Sequence, residues 1–492
     1  MGSVFNPWKW KDIFLAYLLT NCSLYEVKEI ERSLQSAFEG HDKANLMSSW
    51  TWYKYSTCFQ NIHFYFIVKL MLSSIFSTLI IATNSVNLSF NYRDLSTASL
   101  RYLSSRQALA DIANFRTEIA RKLGLTENKW VAYGGSYGGS LAVWSRIKHP
   151  NLFAAAVGSS APIQAKLNFY EYKEVIGRIL SAHNSECPKA VKEAFAILVQ
   201  MLKRPKYYSK LEKDFMLCEP IKINSPKDTA FLMVNMICIV HSFVRKQINK
   251  IIKGEQDELN IDNLCDNMTD TSLGSPYDRF TKIVHLFLKS KHMDCLSANY
   301  NDELEQLSNP SLDYLHIKYD RQWFYQCCTE FGFFETTDSK NQPFSGTPLR
   351  YFFQLCSDVF GPEFSRDLVA QGVKTTNKYY GGFNVNGSKI IFSNGSNDPW
   401  HRLGITKDIS EDLPAVFIKG NTVLNSQRHT NRMKYIYRAS DVYCHKRNYK
   451  VGSKEYGEGH CADVSEQDDT DSAELIEARE KIFQILQKWL KQ

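Results

Sequence analysis

Trp130-Val131-Ala132-Tyr133-Gly134-Gly135-Ser136-Tyr137-Gly138-Gly139 is where this chain first declares an architecture. The bulky apolar run Trp130 to Tyr133 predicts a short buried strand, and the glycines after it predict a tight turn. A helix should follow, because Leu141, Val143, Trp144 and Ile147 offer an apolar side and Pro150 stops it. Upstream, Ser104-x-x-Gln107 reads as a capping box. Leu109, Ile112, Phe115, Ile119 and Leu123 continue at helical spacing, and Lys122 and Gly124 close that helix. Helix, buried strand, glycine turn and helix in succession is the rhythm of a parallel α/β sheet.

The turn itself carries chemistry. G-x-S-x-G between strand and helix holds a serine on a strained corner with its hydroxyl exposed, and the glycines relieve crowding where backbones meet. Ser136 is then a candidate nucleophile. The following helix start brings a positive dipole end and backbone N–H groups beside it, making the N–H of Tyr137 a candidate oxyanion donor. A plain glycine-rich turn would need the same residues, so strand and helix context carries the reading. In α/β hydrolases the acid and then the histidine follow the serine along the chain, on loops after strands. Lys389 to Ser393 reads as a buried strand, and Asp398 lies in the loop behind it; an Asx-turn before Pro399 would use the same residue. Pro414 to Ile418 reads as the next strand, leaving His429, His445 and His460 as candidate bases. His460 lies just before a long amphipathic stretch, Ala473 to Leu490, with Leu475, Ile482, Leu486 and Trp489 on one face.

The rest of the chain bounds these readings. It has 492 residues, 44% apolar and 23% charged, as in a globular enzyme of several domains. The net charge of +7 is spread without a run of five Lys or Arg, which argues against nucleic-acid binding. Twelve cysteines, mostly central, and sequons at Asn21, Asn87, Asn267, Asn386 and Asn394 favour an oxidising, secretory compartment. Residues 64–82 form an apolar stretch of membrane-spanning length containing Lys69, for which a buried core helix and a translated stretch not native to the fold are the alternatives favoured over a span. A zinc site from Cys444, His445, His460 and Cys461 matches no usual ligand spacing, so neither a metal nor an organic cofactor is expected.

Leu95 to Phe115, Gly134 to Pro150, Ser159 to Pro162, Arg321 to Phe333, Ser393 to Leu403 and His460 to Asp463 resemble, in order, the family of prolylcarboxypeptidase, dipeptidyl peptidase II and thymus-specific serine protease. The thymus-specific branch looks nearest, from Ala161 to Tyr172. The resemblance implies α/β fold class, with an α/β-hydrolase sheet and an inserted helical cap domain. It places the hydrolase domain at 94–165 and 354–492, the cap at 166–353 and a divergent segment at 1–93. It implies Ser136 as nucleophile, Asp398 as orienting acid and His460 as base, with Trp400 beside the pocket for the residue before the scissile bond. Trp323 and Tyr325 are candidates for a second pocket wall, core packing being the alternative. Disulfides are expected to fix the cap.

Two departures shape what to expect. Residues 1 to about 90 lack the family's opening strands and Gly-Gly-Glu loop, so the N-terminal part of the sheet reads as incomplete, a sheet edge should be bare, and the second oxyanion donor is in doubt. Asn421 to Tyr456 is a long unpatterned insertion before His460. Intron or mis-joined exon sequence would account for both. The implied function is a serine exopeptidase acting on short peptides, with proline favoured before the cleaved bond in several family members. It is expected in secreted or lysosomal and endosomal vesicles, with a homodimer left open. The alternatives are a catalytically impaired relative that binds peptides or partners, and an esterase on the same fold.

Overall fold

The computed structural model describes residues 94–245, 259–311, 320–420, 460–464 and 471–492. The readings of 1–93, of the stretch 64–82, of 421–456, of His429, Cys444 and His445, and of the sequons at Asn21 and Asn87 lie outside the described residues.

Helices α1 (Thr97–Leu100) and α2 (Ser105–Leu123) precede β1 (Val131–Gly135), which turns at Ser136 into α3 (Tyr137–Lys148) and returns as β2 (Ala155–Ser159). β3 (Lys166–Asn168) then opens a helical insertion. It contains α4 (Glu171–His183), α5 (Cys187–Leu202), α6 (Tyr208–Asp214), α7 (Pro226–Arg245), α8 (Ile261–Thr269), α9 (Pro276–Ser290), α10 (Tyr300–Ser308) and α11 (Asp320–Gln326). A π-helical turn, Cys327–Phe331, leads from α11 into β4 (Gly332–Phe334). α12 (Leu349–Phe360) and α13 (Arg366–Tyr380) bring the chain back to β5 (Ile390–Gly395), β6 (Ala415–Ile418) and the closing helix α14 (Ala473–Lys491).

β1, β2, β5 and β6 form one parallel sheet in the order β1-β2-β5-β6. β3 pairs with β4, so the start of the helical insertion is tied to a strand far along it. Parallel strands are covered on both faces, which explains why Ile390, Ile391 and Phe392 are apolar without alternation. On one face α14 lays Leu475, Ile482, Leu486 and Trp489 against Val131, Val157 and Ile391. Burying each such side chain contributes roughly 1.5–3 kcal/mol. The other face carries α2, α3 and the insertion in one larger core. There the indole of Trp144 on α3 stacks on Tyr380 of α13 with centroids 3.9 Å apart. Among the described residues, β1 is the edge strand on one side of this sheet.

Local chemistry sets the element ends. Ser104 caps α2 by accepting the N–H of Gln107, and Gly124 closes it at φ 66°. Only half of the expected capping box is built, because the Gln107 amide donates to Asp111 instead of returning to the cap. Disulfides join Cys187 to Cys265 and Cys218 to Cys295 within the insertion, and Cys328 to Cys356 on α12, while Cys327 and Cys461 are free thiols. Pro226–Val244 is long and apolar enough to cross a membrane, but 83% of it is buried inside the protein, as in the core helix of a folded domain.

Candidate active site

Ser136 sits where β1 becomes α3, at φ 57° and ψ −133°, and its side chain makes no cap hydrogen bond. An L-residue in that region is strained by about 1–3 kcal/mol, and such strain concentrates where a side chain must be presented rather than packed. The corner is held by the backbone: the N–H of Ser136 donates to Ser159 O at 2.8 Å, and Ser136 O accepts from Gly139 and Ser140. Gly139 is obligatory, since a Cβ there would stand 2.9 Å from both Gly134 O and Ser159 O. Tyr137 is the first residue of α3, at the end where backbone N–H groups project past the helix start. Its ring is buried against Trp323 and Phe331, and its hydroxyl accepts a hydrogen bond from Gln326 at 3.0 Å.

The acid stands at the same edge of the sheet. β1 and β2 end in register at Gly135 and Ser159, and β5 runs on to Gly395. Asp398, fully buried, follows as the cap of the 3-10 turn Pro399–Leu403. Its two oxygens make different contacts. Oδ1 accepts the N–H of Trp400 at 3.0 Å, which is the cap, and Oδ2 faces His460 Nδ1 at 2.9 Å. Its neighbour His401 pairs instead with the backbone carbonyl of Asp398 at 2.6 Å; burial pushes that imidazole's affinity for protons down.

His460 arrives from the other side of the sheet. Cys461 adopts φ 47° and donates its N–H to Ser160 Oγ at 2.8 Å, and Ser160 is itself at φ 46°. The Cys461 thiol faces Ser159 O, the carbonyl that holds Ser136. A Cβ on Gly135 would come within 2.9 Å of Cys461 Sγ. Gly135-Ser136 and His460-Cys461 are therefore packed side by side, and three non-glycine residues in the left-handed region meet at one place. Burial opposes a charge on His460, but the Asp398 carboxylate, helped by Cys461, outweighs it and holds the imidazole well above its ordinary value.

An aromatic cluster lines this corner. Trp400 is buried with its ring centroid 6.4 Å from His460, and it packs against Phe169, Tyr172 and Phe333. Trp323 joins from α11 by stacking on Phe333. The ring contacts of Tyr325 run instead to Phe360 at the end of α12 and to Phe364 just after it. Phe169, Tyr172 and Phe333 were not singled out from sequence; the aromatic density at 169–172 and 331–334 was the available signal. No group of three or more His, Cys, Asp or Glu suited to a metal ion occurs among the described residues. The carbonyl of Ser159, the Asp398–His460 pair and the Ser136 corner together can support acyl transfer through a serine.

The family model for serine carboxypeptidase S28 matches residues 88–433, a span that includes Ser136 and Asp398 and ends before His460. Over 409 residues the chain is 33% identical to the thymus-specific serine protease of Mus musculus, covering 81% of this chain and 71% of that one. The human thymus-specific serine protease gives 33% identity with 81% and 70% coverage. The lysosomal Pro-X carboxypeptidase of Bos taurus is 26% identical over 338 residues, covering 65% and 62%.

Proposed function

The chain belongs to the serine carboxypeptidase S28 family of serine peptidases, and we propose that it is an exopeptidase that hydrolyses short peptides through Ser136, His460 and Asp398. The observation that carries this is the 2.9 Å contact between His460 Nδ1 and Asp398 Oδ2, made at the sheet edge where Ser136 is presented. In the first step Ser136 Oγ attacks the peptide carbonyl and His460 Nε2 takes its proton. Asp398 keeps the Nδ1 proton in place and stabilises the imidazolium. The oxyanion meets the N–H of Tyr137 at the start of α3. His460 then hands its proton to the departing amine, leaving an acyl group on Ser136. Water, deprotonated by His460, releases that acyl group and restores the serine. The protein groups supply every proton transfer in this sequence.

The aromatic corner of Trp400, Tyr172, Phe169 and Phe333 supports a flat apolar residue before the cleaved bond, for which proline is suited. The helical insertion over the sheet supports short substrates over folded ones. Relatives named as lysosomal, together with the disulfides, support a secreted or lysosomal location.

The test is fluorophosphonate labelling of the purified chain, with Ser136→Ala as control. Labelling of the parent alone supports the reading. A folded parent that does not label favours a peptide-binding relative without turnover.

A further inference from the structure

Asp463, three residues past His460, is buried and has no part in the acyl-transfer steps. It lies in the one-turn 3-10 segment Ala462–Val464, under the sheet edge that carries Ser136. The Ser159 hydroxyl at the end of β2 donates to Asp463 Oδ1. Ser393 on β5 is paired in register with Ser159, and its hydroxyl is turned toward the same carboxyl. The Ser393 contact is loose: among the described residues, neither Ser393 Oγ nor Asp463 Oδ2 has a partner at full hydrogen-bond geometry. The Tyr133 phenol from β1 lies against the carboxyl as well.

The nearest cation is engaged elsewhere. Arg479 on α14 is buried and donates to Ala462 O at 2.9 Å, to Asp463 O at 3.4 Å and to Asp471 Oδ2 at 2.6 Å. It clamps the backbone of the 462–463 turn rather than neutralising the side chain. A carboxylate there faces three hydroxyls and the field of the Arg479 guanidinium, but its oxygens make no direct ion pair among the described residues, and the side chains around Val464 are apolar. Either protonation state can bond both serines, but the acid does so without leaving a buried negative charge lacking an ion-pair partner: Ser159 Oγ–H donates to Oδ1, and Oδ2–H donates to Ser393 Oγ.

We propose that Asp463 is a positioning residue that works as a neutral acid, bridging the ends of β2 and β5 to the turn that carries His460. Burial raises the proton affinity of this carboxyl, in agreement. The titratable and charged groups around it are His460 and Cys461 on its own turn, Tyr133 on β1, Arg479 on α14 with its partner Asp471, and Asp398 through His460. The inference rests on His460 being the base only where it concerns rates; the protonation state has a readout of its own.

Two variants and two measurements decide it. Asp463→Asn keeps an acceptor for Ser159 and a donor for Ser393, whereas Asp463→Ala removes both. The first measurement is thermal stability from pH 4 to 8. A carboxyl that binds its proton more tightly folded than unfolded loses stability as pH rises above about 4, its unfolded value. The parent should therefore decline relative to Asp463→Asn over that range. A parent that gains on Asp463→Asn as pH rises overturns the neutral acid, whether or not the chain is active. The second is the fluorophosphonate labelling rate. Asp463→Ala should lose about 10- to 100-fold in the maximal rate with reagent affinity little changed. Asp463→Asn should restore most of that loss and make the rate less sensitive to rising pH. Equal losses in both variants, or none in Asp463→Ala, overturn the positioning role. If the parent itself does not label, the peptidase reading fails while the stability measurement still judges the protonation state.

Discussion

His460 Nδ1 and Asp398 Oδ2 stand 2.9 Å apart, with the carboxylate fully buried and the histidine side chain 23% exposed. The pair makes His460 a strong base in the resting protein, held above its ordinary value by Asp398 against the opposing effect of burial. A base must be neutral to take the Ser136 proton, so the labelling rate should climb with pH through that raised value and stay low at pH 5. Asp398→Asn removes the charge and leaves burial in place. The rate limb should then move down in pH while the maximal rate falls by about 10⁴. The stability sign is opposite to the rate sign. The ion pair contributes fully below about pH 6.5 and is lost as pH rises through the raised value. A labelling profile already complete below pH 6 in the parent contradicts this account.

Gly135 leaves space for the Cys461 thiol. A methyl at this position would lie 2.9 Å from Cys461 Sγ and 3.1 Å from its Cβ. Gly135→Ala should therefore displace the turn bearing His460 without disturbing the distant insertion. The expected result is a labelling rate lower by about tenfold or more with a melting temperature only a few degrees lower. Adding Cys461→Ala removes the sulfur and should recover part of the rate. No recovery in the double variant means the contact with the thiol is not what limits Gly135.

What was legible in the sequence was local. The G-x-S-x-G corner, the capped helix ending at Gly124, the strand around Ile390 to Phe392 and the face of α14 each follow from a few adjacent residues. At Asp398 the Asx-cap and the contact with a histidine are not alternatives, because one oxygen makes each. The illegible parts depend on residues far apart in sequence. Phe169, Tyr172 and Phe333 become one cluster with Trp400 only after the insertion folds. Asp463 meets Ser159 across 304 positions. No periodicity announces such a pair, and a buried carboxyl beside a histidine reads like any polar loop residue until the strands beneath it are known.

The sequons separate by burial. Asn394 is buried at the end of β5, with its amide donating to Ile405 O at 2.8 Å. An acceptor in that position is closed to a glycan once the sheet forms. Asn386 is exposed in the connection before β5. If the chain passes through a secretory compartment, glycosidase treatment should shift its mass, and Asn386→Gln should remove a glycan's worth of that shift. Asn394→Gln should leave the shift unchanged and destabilise the fold by about 1–3 kcal/mol, because Gly404 packs against Asn394 and leaves no room for a longer side chain. A glycan mapped to Asn394 in the folded protein contradicts the placement of β5.

Trp400 tests the substrate reading most directly. Its indole is buried among Phe169, Tyr172 and Phe333, and its ring nitrogen has no hydrogen-bond partner among the described residues. Trp400→Ala opens a large cavity and should destabilise the fold by about 3–5 kcal/mol, so loss of activity there is uninformative. Trp400→Phe keeps a flat ring at smaller cost. If Trp400 forms a wall for the residue before the cleaved bond, Trp400→Phe should lower kcat/KM for a proline-containing dipeptide amide by about tenfold. The corresponding alanine substrate, whose side chain covers less of the wall, should lose less. The ratio of the two values is insensitive to how much protein is folded. An unchanged ratio places the proline-sized wall elsewhere in the aromatic corner, with Tyr172 and Phe333 the next positions to substitute.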